Sequence, residues 1–323
     1  MIDRETIRQC VSDALETVSV DWPYASTRGK VRDLFALPGG RWLIVTTDRL
    51  SAFDRILTRV PFKGQVLNQL SAFWFEQTGD VIPNHLLEVP DPNISLVEQC
   101  NPLPVEVVVR GYITGVTKTA LWYRYAQGER RIYGYDFPNG LRKNEELATP
   151  IITPTTKGRA GEHDERLTCA EVVQRKLLEA ETWDRVQVAA LEIFERGQQL
   201  AEQGGLILVD TKYEFGRASD GTLMLIDELH TPDSSRFWSA ESYEERMSAG
   251  LEPENFDKEF LRLWYAERGY RGTGEPPDAT EDLIVRVSQR YIALHETLTG
   301  ETFEPGAYPA EPRIVSVLNG FIR

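Results

Sequence analysis

Two short runs joined through an Asp-Gly pair constrain this chain more than any other feature. Residues 206–216, Leu-Ile-Leu-Val-Asp-Thr-Lys-Tyr-Glu-Phe-Gly, open like a buried strand and then place Asp210, Lys212 and Glu214 two residues apart. Residues 222–230, Thr-Leu-Met-Leu-Ile-Asp-Glu-Leu-His, follow across Ser219-Asp220-Gly221. Asp-Gly between such runs is the strongest two-residue hairpin signal, because both residues tolerate the left-handed backbone that a tight turn needs. Strand alternation predicts Asp210, Lys212 and Glu214 on one face and Val209, Tyr213 and Phe215 on the other.

With Asp220 and Gly221 as the turn, Ser219 pairs with Thr222 and Glu214 falls directly opposite Asp227. Carboxylates facing each other across a ladder repel, unless one is protonated or a cation lies between them. Magnesium is the economical cation, since it is held by one or two protein carboxylates together with substrate phosphates. A solvated polar strand face accounts for the same pattern, and a three-residue loop would move Asp227 away from Glu214.

The wider composition limits the partners. At 323 residues and 41% hydrophobic content the chain can bury the core of one large domain or two closely packed ones. No apolar run nears the roughly 18 residues that span a bilayer, and the opening Met-Ile-Asp-Arg-Glu-Thr lacks a signal-peptide core, so the expectation is a cytoplasmic protein without a membrane partner. Cys10, Cys100 and Cys169 are too few and too scattered for a disulfide framework or a zinc cluster. Fifty acidic against 36 basic residues give a net charge of −14, which repels nucleic acid at long range. An anionic substrate then demands a local gathering of cations, which makes clustered Lys and Arg informative.

Elsewhere the pattern is α+β. Residues 31–37 and 41–47 read as a hairpin around Pro38-Gly39-Gly40, 65–77 as a helix stopping at Gly79, and 104–110 as a β-branched strand. Thr168-Cys-Ala-Glu171 is a capping box that opens two helices running to Gly204-Gly205. A helix near 256–268, a Gly/Pro break at 269–277 and a helix near 280–298 complete the chain.

Several segments are suited to anions. Gly29-Lys30-Val31-Arg32 puts a glycine and two cations beside backbone amides at a strand start, without forming a Walker sequence. Arg110 ends an apolar strand, where its fork suits a phosphate, a carboxylate or a structural salt bridge. The loop from His230 to Trp238 carries Ser234 and Arg236, and the run from Thr153 to Glu165 is a polar loop containing Lys157 and His163. His163 and His230 are possible bases, although a loop histidine without a partner is more often incidental. The absence of His-Arg-Asp, GxSxG, HExxH and CxxC argues against a protein kinase, an α/β-hydrolase, a zincin and a thioredoxin-like protein.

Taken together these segments resemble the SAICAR synthetase family in its longer form. The family's apolar-Asp-x-Lys-x-Glu-Phe-Gly strand is matched at Leu208–Gly216, and its Pro-x-Glu strand followed by Arg-x-x-x-Thr-Gly-Ser is matched from Pro104 to Gly115, with Val116 in place of the serine. Gly29–Asp33, Thr47–Asp54, Thr153–Glu165 and Asp227–Trp238 extend the resemblance, while residues 304–323 fall outside the matched motifs.

The resemblance implies a two-part fold related to ATP-grasp and kinase-like architectures. A strand-rich part, 1–110, would cover ATP above an α+β part, 111–323, that carries magnesium and ribotide. It implies an ATP-dependent ligase joining CAIR, a carboxylated aminoimidazole ribotide, to L-aspartate through an acyl phosphate. A different carboxylate–amine ligase and a non-catalytic nucleotide binder are the rival readings. On the family's pattern Gly29, Lys30, Val31, Arg32, Glu106 and Lys212 meet ATP, and Glu214 and Asp227 hold Mg2+, with Lys212 joining them in catalysis. Ser51, Asp54, Arg110, Lys157, Asp210, Ser234 and Arg236 lie on the substrate side.

Overall fold

The computed structural model describes residues 2–53, 55–117, 119–157 and 165–322. A five-stranded antiparallel sheet forms first, in the order Ser26–Arg28, Arg32–Leu37, Arg41–Thr46, Ile94–Glu98 and Leu86–Asp91. The hairpin expected around Pro38-Gly39-Gly40 is present, with Leu37 paired to Arg41. Gly39 and Gly40 both have positive φ, at 77° and 68°, a backbone that glycine adopts without a steric penalty.

A seven-stranded sheet is built around Leu206–Arg217, which pairs with Val105–Ile113 on one side. On its other side it pairs with Ser235–Ser239 near its start and Leu223–Ile226 near its end. Two crossings bind the sheets together. Asn101–Pro102 pairs with Arg217 and Gly216, and the Leu225 amide and carbonyl bond the Pro83 carbonyl (2.9 Å) and the His85 amide (3.1 Å).

Helices back this frame. Ala180–Gln203 lays Trp183, Val186, Ala190, Ile193 and Phe194 on the central sheet, at the spacing of an amphipathic helix face. The capping box at Thr168 and Glu171 is formed and starts Cys169–Gln174. Lys63–Gln77 and Glu281–Thr299 share the main core, the latter ending at Gly300 with φ 73°. Residues beyond 304 form a helix, Glu311–Phe321, that seats Ile314 and Leu318 against Phe35, Leu43, Val45 and Ile94 of the five-stranded sheet.

The structure corrects two details of the sequence reading. The hairpin loop has three residues, because the Ala218 amide bonds the Thr222 carbonyl (2.9 Å) and the Gly221 amide turns back to the Ala218 carbonyl (3.0 Å). Glu214 therefore pairs with Ile226, and Asp227 is not opposite it. The alternation also changes phase within the central strand. Leu206 and Leu208 enter the main core at even positions, whereas Tyr213 and Phe215 enter it at odd ones. The shift coincides with an irregularity between Leu208 and Asp210, and Val209 joins a separate cluster with Tyr112, Trp238 and Tyr243. A bulge of this kind re-aims every side chain beyond it.

Candidate active site

The central strand carries two charged clusters. In the first, ladder register alone does the placing: Asp210 faces Arg110 on one neighbouring strand and Arg236 on the other. Its Oδ2 accepts from Arg110 Nη1 at 3.2 Å and from Arg236 Nη1 at 2.8 Å, and Arg110 Nε reaches Thr153 Oγ1 at 2.9 Å. All three side chains are largely buried. Burial opposes the Arg236 charge, but Asp210, Glu259 and Asp257 outweigh it and raise its pKa. Ser234 lies beside this cluster, its carbonyl accepting from the Lys212 amide at 3.0 Å.

The second cluster lies two to four residues along. Lys212 Nζ bonds Glu214, lies 3.3 Å from Glu106 Oε1 and 3.9 Å from Asp227 Oδ2. Glu214 also bonds Lys157. Arg32 reaches in from the five-stranded sheet, bonding Asp227 and lying 3.1 Å from Glu228 Oε2. Desolvation disfavours both the Lys212 and the Arg32 charge. The surrounding carboxylates, Glu214 and Asp227 for Lys212 and Asp227 and Glu228 for Arg32, outweigh it and raise both pKa values.

Asp227 gets there by a route that strand alternation does not describe. Its φ of 72° ends the ladder at Ile226, and the departing chain brings its carboxylate to Lys212 and Arg32. A non-glycine residue in that region costs of order 1–3 kcal/mol, which the surrounding structure must offset.

The turn Gly29-Lys30-Val31-Arg32 joins Ser26–Arg28 to Arg32–Leu37, with the Gly29 amide bonded to the Arg32 carbonyl at 2.7 Å. Ser51 stands on a separate two-stranded ribbon, Arg49–Ala52 with Arg55–Arg59, and among the described residues no hydrogen bond joins it to either cluster. Asp54 and His163 lie outside the described residues. His230 is buried against Trp74 with Nε2 2.6 Å from Tyr213 Oη, and burial pushes its pKa down to about 3, so it is a neutral packing residue. Gly115 passes close to Arg236: a Cβ built there would lie 3.9 Å from Nη1, and the neighbouring Val116 is exposed.

Sequence reasoning missed a buried network behind Ser234. Asp233 takes Tyr291 Oη at 2.8 Å and lies 3.1 Å from Lys63 Nζ and 3.8 Å from Lys258 Nζ. Burial would raise the Asp233 pKa, but Lys258 and Lys63 outweigh it and hold the carboxyl below its usual range. Lys63 and Tyr291 come from the packed helices Lys63–Gln77 and Glu281–Thr299, and Asp233 and Lys258 from two further segments, so no local pattern announces them. An open cleft of about 690 Å³ is lined by Arg131, Tyr133, Arg166 and Thr168 among others, and by no residue of either cluster. It is too open to define a site by itself, and the charge geometry is the better guide.

A profile of the SAICAR synthetase family matches residues 25–277. The phosphoribosylaminoimidazole-succinocarboxamide synthase of Legionella pneumophila is 50% identical over 293 residues, covering 89% of this chain and 92% of that relative. The chloroplastic synthase of Vigna aconitifolia is 50% identical over 285 residues, covering 88% and 83%. A solved structure of the Saccharomyces cerevisiae SAICAR synthase, complexed with SAICAR, aligns with a TM-score of 0.78 at 32% identity, over 90% of this chain and 100% of that one. Fold and sequence together define an ATP-dependent ligase. The chain belongs to the SAICAR synthetase family, whose reaction joins CAIR to L-aspartate in purine biosynthesis.

Proposed function

We propose that this ligase holds CAIR at the Arg110–Asp210–Arg236 row and activates its carboxylate beside Lys212, Glu214 and Asp227. The observation that carries the reading is the placement of both clusters on one strand. Asp210 and Glu214 are four residues apart, a span of roughly 13 Å at the rise of a strand. A phosphorylated ribotide can lie along that span with its anionic end at the arginines and its carboxylate toward the lysine.

The donor set suits magnesium. Among the described residues Glu106, Glu214, Asp227 and Glu228 outnumber Lys212, Arg32 and Lys157 there. No three acidic residues among those described are placed as a ready-made cage, and Glu214 and Asp227 offer the one or two hard-oxygen carboxylates that magnesium takes beside substrate phosphates. When bound, the ion would shield charge on the phosphates of ATP. Glu214 and Asp227 are the residues that would hold it. Lys212 and the turn Gly29–Arg32 would orient the phosphates, and Glu106 would position Lys212.

A CAIR carboxylate oxygen attacks the γ-phosphorus and ADP leaves. The aspartate amine then attacks the acyl carbon, and phosphate departs with that oxygen. This order is chemically required, since a free carboxylate resists an amine until its oxygen becomes a leaving group. Ser51, Asp54, Lys157 and Ser234 complete the substrate side of the proposal. A reducing compartment such as the cytoplasm fits three cysteines that form no disulfide.

The test is to supply CAIR labelled with 18O in its carboxylate, together with ATP, magnesium and aspartate. One label should appear in inorganic phosphate as SAICAR and ADP form. Unlabelled phosphate would rule out the acyl phosphate, and turnover only with another acid would reassign the substrate.

A further inference from the structure

Arg49 takes no part in either cluster, yet its side chain is fully buried. Its guanidinium is spent on the turn that precedes Arg32. Nη2 donates to the Gly29 carbonyl at 3.0 Å and Nε to the Lys30 carbonyl at 3.1 Å. Nη1 bonds the Glu16 carbonyl, and Nη2 also meets Asp33 Oδ1 at 2.7 Å. Asp33 is itself fixed by Thr17 Oγ1 at 2.7 Å and the Val18 amide at 3.2 Å. The next carbonyl, of Val31, accepts from Thr47 through Oγ1 at 2.6 Å and the amide at 3.0 Å. Three successive carbonyls are thus captured from the inside by Thr47 and Arg49.

A trans peptide is planar, so its N–H points opposite to its C=O. Drawing the Gly29 and Lys30 carbonyls onto Arg49 turns the Lys30 and Val31 N–H groups toward the opposite side of the turn. Successive amides aimed one way form an anion-binding concavity. Turning those carbonyls away also removes two partial negative charges from the face that an anion would approach.

We infer that Arg49 is a positioning residue for nucleotide binding: it shapes the 29–32 turn into a phosphate cradle without touching the nucleotide. This rests on the proposal that the turn meets the phosphates of ATP. Lysine at position 49 keeps a cation for Asp33 but cannot serve three carbonyls and a carboxylate in one plane.

The experiment compares Arg49→Lys and Lys30→Ala with the parent in the full chain, reading KM for ATP, KM for CAIR and ADP affinity by calorimetry. Arg49→Lys should raise KM for ATP and weaken ADP binding about tenfold, while KM for CAIR stays within about twofold. An unchanged KM for ATP with Arg49→Lys, when Lys30→Ala raises it, would overturn the role of Arg49 alone. No effect of Lys30→Ala on ATP would instead remove the phosphate reading of the turn. Equal loss for ATP and CAIR would make Arg49 a general structural residue and overturn the inference. If Arg49→Lys does not fold, Thr47→Val tests the same inward anchoring at the Val31 carbonyl. A rise of about threefold in KM for ATP supports the inference, and no change overturns it.

Discussion

The two ends of the charged row on Leu206–Arg217 differ in sign and in how they are built. At the Asp210 end the ion pairs run Arg110–Asp210–Arg236–Glu259–Arg262, so among the described residues three arginines alternate with two carboxylates and the row can accept an anion. At the Glu214 end, among the described residues, four carboxylates surround three cations, a surplus of negative charge suited to a cation. On the proposed reading, one strand offers opposite electrostatic ends to a substrate with a phosphate handle at one extreme and a carboxylate at the other. Paired charges of this kind act mainly through preorganisation, since they are already fixed when charge moves.

The sharpest way to break this contrast is at its negative end. Glu214→Gln removes the surplus while keeping shape, and kcat should fall by about a hundredfold or more, the scale of losing a charge-stabilising group. Steady-state kinetics at saturating ATP, magnesium and CAIR reads this directly. A rate within a few fold of the parent would show that Glu214 is a tether for Lys157 and Lys212 and nothing more.

The two ends were not equally legible in the sequence. Asp210 meets Arg110 in a regular ladder, which residue spacing can encode, whereas it meets Arg236 only beyond the irregularity between Leu208 and Asp210. The Glu214 end needed information that spacing lacks. An Asp-Gly pair fits both a two-residue and a three-residue loop, and the difference of one residue removed Asp227 from its expected partner. The positive φ at Asp227 then brought it back to the same lysine by another path. Val209 was misread for a related reason, since a bulge changes the phase of alternation without a glycine or proline to announce it. Long-range packing hid Lys63 and Arg49 altogether, because their partners lie in other segments of the chain.

The opposite face of the same strand supplies a control that should move stability and neither substrate constant. His230, bonded to Tyr213, is held neutral by burial down to about pH 3, whereas an unfolded histidine protonates near 6.5. Below about 6.5 the unfolded state binds a proton that the fold refuses. The stability is therefore full above that pH and is lost as pH falls toward 3, at about 1.4 kcal/mol per unit. His85, lowered to about 4 by burial and by Arg32, acts in the same direction. In urea titrations at pH 7 and pH 5, His230→Gln should lose less stability over that interval than the parent, by about 2 kcal/mol. Identical pH slopes would mean that the histidine is protonated in the fold.

At the positive end, Arg110→Lys keeps the charge but loses the fork that serves Asp210 and Thr153 together. KM for CAIR should rise about tenfold with KM for ATP unchanged, as expected for the loss of a charge-assisted hydrogen bond. Parallel rises in both constants would erase the distinction between the two ends and make Arg110 part of the scaffold.

The smallest effect concerns Val116, the position at which the motif resemblance expects a serine. Val116 is 51% exposed and follows a glycine whose Cβ position lies 3.9 Å from Arg236 Nη1. The side chain is therefore near the positive end but supplies no donor to an anion held there. Val116→Ser restores a hydroxyl without touching a buried contact, so stability should be unchanged. If the anionic handle of CAIR sits at Arg236, the added hydrogen bond should lower KM for CAIR about threefold and leave KM for ATP where it was. A change in the ATP constant instead would place the nucleotide, and not the ribotide, at the positive end and reverse the orientation argued from the two clusters.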